Sequence, residues 1–472
     1  MPDTDPPDFD VAIIGAGSGG MAAARRAREL GLSVVQFEAR EVGGTCVNRG
    51  CVPKKLLVTA SRQGDAIRDA EPFGWRVDGE TRFDWAAVRD AVAEKVRSLS
   101  EHQGESLEED GVTLVRRRVR LAGGGRIVSA DDDAHGGEAG EWRVRDIVLA
   151  TGSRPLVPDL PGAELALVSD DLFSLESLPA SLALVGGGYI AVEFANMMRR
   201  FGVEVTVFQS GDRLLKGFDD EVVACLEDAM RDDGIEIVCG TRAKAIERRD
   251  DGLRLTLDGG EDRGGFDAVA LVIGRAPNVE GLGLEAAGVE LDEDGLVRVD
   301  GYGRTTAERV YAIGDIVETL QLTPVAIEGG RAAIDAIAGR TFERTQEEHV
   351  PTAAYSTPEC GSVGVSEADA VRLGIAHHVR RAHFRPLDDT LSERPRKVLI
   401  KLVVEEVTGR LLGFHSFGHH AAEAAQMAAL PVSARLTEHD LHRTMSLHPT
   451  HAEEIVSLGR PDRPTHRRAD GD

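Results

Sequence analysis

Short apolar runs without alternation, each delivered into a glycine turn, recur along the chain. Val11-Ala12-Ile13-Ile14 runs into Gly15, Ile147-Val148-Leu149-Ala150 into Thr151-Gly152, and Leu182-Ala183-Leu184-Val185 into Gly186. Ala268 to Ile273 runs into Gly274-Arg275, and Val310-Tyr311-Ala312-Ile313 into Gly314-Asp315. An unbroken apolar run of this length reads as a strand buried on both faces, the habit of parallel sheets. Between the first two runs, Met21 to Leu30 is rich in Ala and Arg and predicts a helix, and Ser33 to Phe37 predicts a second strand. Trp85, Val88, Val92 and Val96 recur at helical spacing. Residues 123–140 are Gly- and Asp-rich and predict an exposed hairpin or loop, while Pro155, Pro158 and Pro161 mark a domain junction. From about residue 348 strands and helices alternate without a glycine fingerprint, including a strand over Lys397 to Glu405. That region reads as a separate C-terminal domain with a frayed polar tail after Arg460.

The chain has 472 residues, too many for one core, so three or four domains are expected. A formal charge of −25 argues against nucleic acid and anionic membrane as partners, because phosphate neutralisation needs surplus Lys and Arg. No apolar run is long enough to span a bilayer and no charged-then-apolar leader precedes Val11, so the cytoplasm is the expected location. Five cysteines in this length do not make a secreted disulfide scaffold. Cys225, Cys239 and Cys360 have no partner nearby in sequence and read as inert thiols.

Two segments carry a nucleotide-binding pattern. Gly15-Ala16-Gly17-Ser18-Gly19-Gly20 follows a strand and opens a helix. The first glycine permits the tight turn, and the second lets backbone approach a pyrophosphate at the helix N-terminus. Glu38, closing the next strand, is placed to accept from ribose hydroxyls. The second pattern, Gly186-Gly187-Gly188-Tyr189-Ile190-Ala191, has alanine at the third small position. Its second strand ends Val207-Phe208-Gln209-Ser210, with no carboxylate to repel a 2′-phosphate. Arg213 and Lys216 follow and are the candidates to hold that phosphate, which favours NADPH and leaves NADH open.

Cys46 and Cys51 stand with four residues between them in Gly43-Gly44-Thr45-Cys46-Val47-Asn48-Arg49-Gly50-Cys51-Val52-Pro53-Lys54-Lys55. A close pair of this kind cycles between disulfide and dithiol, and the second step of disulfide exchange becomes intramolecular. The competing reading, a metal site, ordinarily needs four ligands, and no second cysteine pair exists. Far along the chain, His448-Pro449-Thr450-His451-Ala452-Glu453 offers an imidazole with a carboxylate nearby. That pairing suits proton transfer to and from a thiol.

Over its whole length the chain resembles the class I pyridine nucleotide–disulfide oxidoreductases, and Val52-Pro53-Lys54-Lys55 is similar to the branch that reduces glutathione disulfide. The resemblance implies an α/β fold of two Rossmann-like dinucleotide-binding domains plus a C-terminal α+β dimerisation domain. Its boundaries are 1–155 for FAD, 156–274 for NAD(P)H, 275–347 for a central domain completing the FAD site, and 348–472 for the interface domain. FAD contacts carry over to Gly15, Gly17, Ser18, Gly19, Gly20, Glu38, Thr45, Lys54, Gly152, Asp315 and Thr323. The nicotinamide cofactor falls to Gly186, Gly188, Tyr189, Ile190, Glu193, Arg213, Lys216, Gly274 and Arg275. Cys46 is implied as the interchange thiol, Cys51 as its flavin-side partner, and Lys54 as paired with Glu193. His448 and Glu453 are implied as the acid–base pair, supplied by the other subunit of a homodimer. Arg25 and Arg331 match arginines that hold glutathione. Read without the resemblance, Tyr189 is ordinary packing and the two arginines are solvent-facing helix charges. The expected activity is NADPH-dependent reduction of glutathione disulfide, with another small thiol disulfide or dihydrolipoyl dehydrogenase chemistry as alternatives.

Overall fold

The computed structural model describes residues 6–130, 140–318, 320–392 and 396–458. The distal part of the expected loop (131–139) and the tail after Arg460 lie outside the described residues. The chain divides into two compact units. The first comprises Met1–Leu56, Arg89–Pro155 and Arg275–Thr345, the second Leu57–Val88, Leu156–Gly274 and Gln346–Asp472.

In the first unit the apolar runs become the centre of one sheet. Strand Phe9–Ile14 lies between Val34–Glu38 and Glu141–Leu149, parallel to both, with Val11 opposite Val34 and Asp146. Thr113–Arg116 extends the sheet on one side, and Val310–Ala312 pairs with Glu141–Leu149. Val119–Gly123 and Arg126–Ser129 form an antiparallel hairpin closing the other edge, at the start of the expected Gly/Asp-rich segment. Val11, Ala12 and Ile13 are completely buried, as strands covered on both faces require. One covering layer is the helix Ser18–Glu29 packed against Thr323–Ile337. Their backbones approach so closely that a Cβ on Gly330 would stand 2.4 Å from the Gly19 carbonyl oxygen. A Cβ on Gly19 would stand 2.8 Å from that of Ala326. Glycine is needed at both positions because any side chain would separate the helices.

Among its described residues the second unit holds three sheets, one of them the small antiparallel sheet Ala243–Arg249, Gly252–Leu257, Asp262–Phe266. The nucleotide-type sheet has Ser181–Val185 between Glu204–Gln209 and Ala268–Leu271, all parallel, with Glu236–Cys239 and Leu167–Val168 at its edges. The C-terminal sheet is antiparallel and runs Thr352–Ala354, Glu359–Gly364, Leu411–Gly418, Val398–Glu405, His377–Phe384. Val398–Glu405 is the strand expected over Lys397 to Glu405. Val404, Phe414 and Val363 pack there with Ala425 and Val432 of helix Ala421–Ser433. None of the described helices is long and apolar enough to cross a membrane.

Candidate functional site

The first glycine loop leaves its strand through Gly15, whose φ is +108° and whose Cβ would stand 2.3 Å from the Ala150 carbonyl oxygen. No L side chain fits that position. Gly17 then caps helix Ser18–Glu29 in extended conformation with no side chain on the helix N-terminus, leaving its first N–H groups for a phosphate. Glu38 is not idle at the end of its strand. Its carboxylate accepts from the Ala16 backbone N–H at 2.7 Å and from that of Arg40 at 2.8 Å. Burial nevertheless pushes its pKa up, joined by the nearby Glu41 charge, against the backbone N–H donors. An additional hydroxyl donor of the ribose type suits such a carboxylate, so the residues present fit a dinucleotide here.

The cysteine loop folds as two short helical steps. Thr45 and Cys46 lie in helix Gly44–Asn48, and Cys51 opens the helix Cys51–Arg68. Between them Gly50 runs so close that a Cβ there would meet the Thr45 carbonyl oxygen at 2.8 Å and the Cys46 Cα at 3.3 Å. That tight link is what brings the two sulfurs together. Arg49 points away and pairs with both Glu41 oxygens at 2.6 and 2.8 Å. A hydrogen bond from the Cys51 thiol, with help from the Thr323 and Ser18 hydroxyls, draws the Cys46 pKa down to about 6 against the opposing effect of burial. The same bond, then burial, pushes Cys51 upward, with the Lys54 ammonium opposing. The two thiols titrate together through this bond, with Cys46 the one drawn below the ordinary thiol range and Cys51 the one pushed above it. Thr323 Oγ1 is 3.8 Å from the Cys51 sulfur.

Asp315 lies in the short helical turn Gly314–Ile316, just past the strand Val310–Ala312, and a residue that sequence reasoning missed organises the ground beside it. Ser153 donates its hydroxyl to Asp315 Oδ2 at 2.5 Å and accepts from Arg275 Nε at 2.8 Å. Arg275 also donates to the Ser153 carbonyl at 2.8 Å and to the Thr45 hydroxyl at 3.4 Å. Arg275 therefore joins Thr45, Ser153 and Asp315 in the first unit, although the resemblance assigned it to the nicotinamide site. Gly152, with φ of +67°, turns the chain into Ser153. The only sequence signal for Ser153 was its place directly after that turn.

The second glycine loop repeats the first. Gly186 has φ of +132° and its Cβ would stand 2.3 Å from the Val272 carbonyl oxygen. Gly188 caps helix Tyr189–Arg200 with no side chain on its N-terminus. A cavity of about 550 Å³ opens beside Gly188, Tyr189 and Ile190, bordered by Gln209, Ser210 and Gly274. Tyr189 is 42 % exposed at its mouth, unlike a residue packed on the sheet. Arg213 and Lys216 do not line this cavity. Arg213 bonds the Asp220 carbonyl oxygen at 2.9 Å and lies 3.3 Å from its carboxylate. Glu193 is buried and accepts from the Tyr355 backbone N–H at 2.8 Å. Lys54 stands in the first turn of the cysteine helix, its N–H bonded to the Gly50 carbonyl.

His448 Nδ1 lies 3.2 and 3.1 Å from the two Glu453 oxygens, and the ring is 79 % exposed. Thr450 fixes the turn by accepting from the Glu453 N–H at 3.2 Å and donating to the Leu447 carbonyl. His451 is used otherwise, against Asp388 and the His419 carbonyl. Arg25 pairs with Asp110 at 3.1 Å and reaches Ser106 at 3.3 Å, while Arg331 is exposed on the helix Thr323–Ile337.

Known proteins fit this arrangement along its whole length. The family model described as pyridine nucleotide-disulphide oxidoreductase matches residues 9–330, and that of the family's dimerisation domain matches residues 350–458. Among curated relatives, a glutathione reductase of Burkholderia cepacia is 40% identical over 451 residues, covering 96% of this chain and 98% of the relative. One of Nostoc sp. is 38% identical over 467 residues, covering 96% and 99%. A chloroplastic/mitochondrial glutathione reductase of Pisum sativum is 37% identical over 470 residues, covering 97% and 83%. The chain belongs to the pyridine nucleotide-disulphide oxidoreductase family.

Proposed function

We propose that the protein is an FAD-dependent reductase of glutathione disulfide that draws its electrons from NADPH and works as a homodimer. The observation that carries this reading is the cysteine loop, where Gly50 brings Cys46 and Cys51 together and a hydrogen bond from Cys51 draws the Cys46 pKa below the ordinary thiol range. Relatives named glutathione reductase over nearly the full chain support the choice of disulfide.

FAD, when bound, supplies the two-electron relay between the nicotinamide and the cysteine pair. Ser18 to Gly20 at the helix N-terminus and Glu38 would hold its pyrophosphate and ribose, and Thr45, Gly152, Asp315 and Thr323 its remaining polar groups. Lys54, in the first turn of the cysteine helix, would offset negative charge that the bound flavin brings near Cys51. The Cys46 thiolate attacks one sulfur of the substrate, forming a mixed disulfide and expelling the first glutathione thiolate. His448, oriented by Glu453, protonates that leaving thiolate. Cys51 gives its proton to the now neutral His448 and attacks the Cys46 sulfur, re-forming the protein disulfide. The second glutathione thiolate is expelled and takes that proton from His448. A His448 ring so exposed on its own unit, inside the segment matching the dimerisation domain, is supplied with Glu453 to the other subunit's centre. Arg25 and Arg331 are proposed to meet the substrate carboxylates, Arg25 exchanging its half-exposed partner Asp110 for one of them. A cytoplasmic location belongs to this reading, since a dithiol centre of this kind is maintained in a reducing compartment.

Purified protein is expected to oxidise NADPH with glutathione disulfide and to leave lipoamide unreduced. NADH-linked lipoamide reduction with no turnover of glutathione disulfide overturns the proposal.

A further inference from the structure

The charge that distinguishes NADPH from NADH lies on one phosphate at the adenosine 2′ position, and a protein of net charge −25 must meet it with a local cation. The residue closing the second strand of a nucleotide unit faces that position. Here it is Gln209, which is held rigidly: its Nε2 donates to the Arg213 carbonyl at 3.1 Å and its Oε1 accepts from the Ser210 N–H at 2.9 Å. It carries no charge of either sign. The two basic residues that follow in sequence do not line the cavity, and Arg213 is occupied by Asp220.

A different segment brings cations to the cavity. After the edge strand Glu236–Cys239, the chain stays hydrogen-bonded to the end of the neighbouring strand. The Gly240 N–H bonds the Gly211 carbonyl at 2.9 Å, and the Thr241 N–H bonds that of Gln209 at 3.1 Å. This extension fixes Thr241 and Arg242 beside Ser210, and Ser210, Thr241, Arg242 and Lys244 all line the same cavity as the glycine loop. Arg242 is exposed, and no described carboxylate lies within ion-pair distance of it. Lys244 is 3.1 Å from Asp258, in a pair more than two-fifths exposed on both sides. Such a pair is weak and yields to a phosphate dianion.

We infer that Arg242, backed by Lys244, is the cation that reads the adenosine 2′-phosphate of the nicotinamide cofactor, in place of Arg213 and Lys216. The inference rests on the proposed use of NADPH and adds the residues that select it. Guanidinium geometry suits a phosphate better than an ammonium does, so Arg242 carries the larger share.

The test uses the flavin-loaded dimer without any disulfide substrate, so that a wrong disulfide assignment does not affect it. Flavin reduction is followed at increasing NADPH and NADH, and 2′,5′-ADP is compared with 5′-AMP as competitor. Arg242→Ala is expected to raise the NADPH concentration for half-maximal rate about 10- to 100-fold, the loss of one charge-assisted contact. The maximal rate and the NADH curve should stay unchanged, and the advantage of 2′,5′-ADP over 5′-AMP should fall by the same factor. Arg242→Lys is expected to restore part of it, and Lys244→Ala to cost less. An NADPH preference unchanged in Arg242→Ala, or one abolished by Lys216→Ala alone, overturns the inference. A wild-type protein that binds 2′,5′-ADP no better than 5′-AMP overturns it together with the NADPH assignment.

Discussion

The two nucleotide units are near copies in backbone and opposites in what their loops carry. In each, the first glycine sits where its Cβ would be 2.3 Å from a carbonyl oxygen of the neighbouring strand. Its N–H bonds a phenylalanine carbonyl at 2.8 Å, that of Phe37 in one unit and Phe208 in the other. Gly17 and Gly188 cap their helices at almost the same angles, φ −78° and ψ −175° against φ −77° and ψ −178°. Even the returning loop is tied in the same way, Gly43 to the Ala16 carbonyl and Leu215 to that of Gly187. The registers, Ile13 opposite Gln36 and Leu184 opposite Val207, make Glu38 and Gln209 equivalent. One is a carboxylate drawn onto its own glycine loop, the other a neutral amide. Directly after the tied loop, one unit runs into Thr45-Cys46 and the other into Lys216-Gly217. The scaffold therefore supplies only a phosphate-binding turn, and the residues that follow decide whether the ligand is a resident or a visitor.

The units also differ in how their helices are anchored. The first is held by helix-on-helix contact through Gly19 and Gly330. The second is tied at Asp219, the cap of helix Asp220–Asp232, to Lys401, which is 1 % exposed. Lys401 Nζ lies 2.8 Å from Asp219, 3.1 Å from Glu221 and 2.7 Å from Glu367. The largest expected effect follows from this contrast. Lys401→Ala should cost about 3–5 kcal/mol by leaving the buried Asp219 carboxylate without its counter-ion, while Glu221 and Glu367 keep Arg381, read as a lowered midpoint of urea unfolding with flavin retained in the surviving folded fraction. A change below ~1 kcal/mol would show that the anchor is dispensable. The wild-type anchor is acid-sensitive. Burial opposes ionisation of Glu221, but Arg381 and Lys401 hold its pKa down at about 2 against 4.5 unperturbed. The folded value being the lower, its stabilisation is complete above about pH 4.5 and is lost as pH falls towards 2.

The next effect separates the equivalent residues themselves. Glu38→Ala removes two charge-assisted acceptors, about 1.5–3 kcal/mol each, and should yield protein depleted of flavin after desalting. Gln209→Ala should keep full flavin content and raise the NADPH requirement only severalfold, about 1 kcal/mol. Equal flavin content in the two variants would break the comparison. The smallest effect is a shift along the pH axis. Alkylation of Cys46 in the reduced protein by iodoacetamide, followed by mass spectrometry, should rise through about pH 6, because only the thiolate reacts. In Cys51→Ala the leading hydrogen bond is gone, and the midpoint should move up towards the ordinary thiol value of about 8.5. A midpoint unaltered by that substitution would assign the activation to Ser18 and Thr323 instead.

Much of this was legible in the residues alone. Buried parallel strands announce themselves as unbroken apolar runs, and a glycine after such a run has few explanations, so both turns, the pairing of Glu38 with the first and the cysteine pair were found without coordinates. These are local facts, set by backbone sterics and by residues a few positions apart. Ser153 between Arg275 and Asp315, the placing of Arg242 beside Ser210, and the departure of Arg213 to Asp220 depended on strands far apart in sequence coming into register. A single extended backbone tie, Thr241 to Gln209, decides which cation faces the cavity, and no spacing rule encodes it. The same is true of the thiol chemistry. Two nearby cysteines are a pattern, but the hydrogen bond that pulls Cys46 down and pushes Cys51 up, and the hydroxyls beside it, exist only once folding brings these groups together.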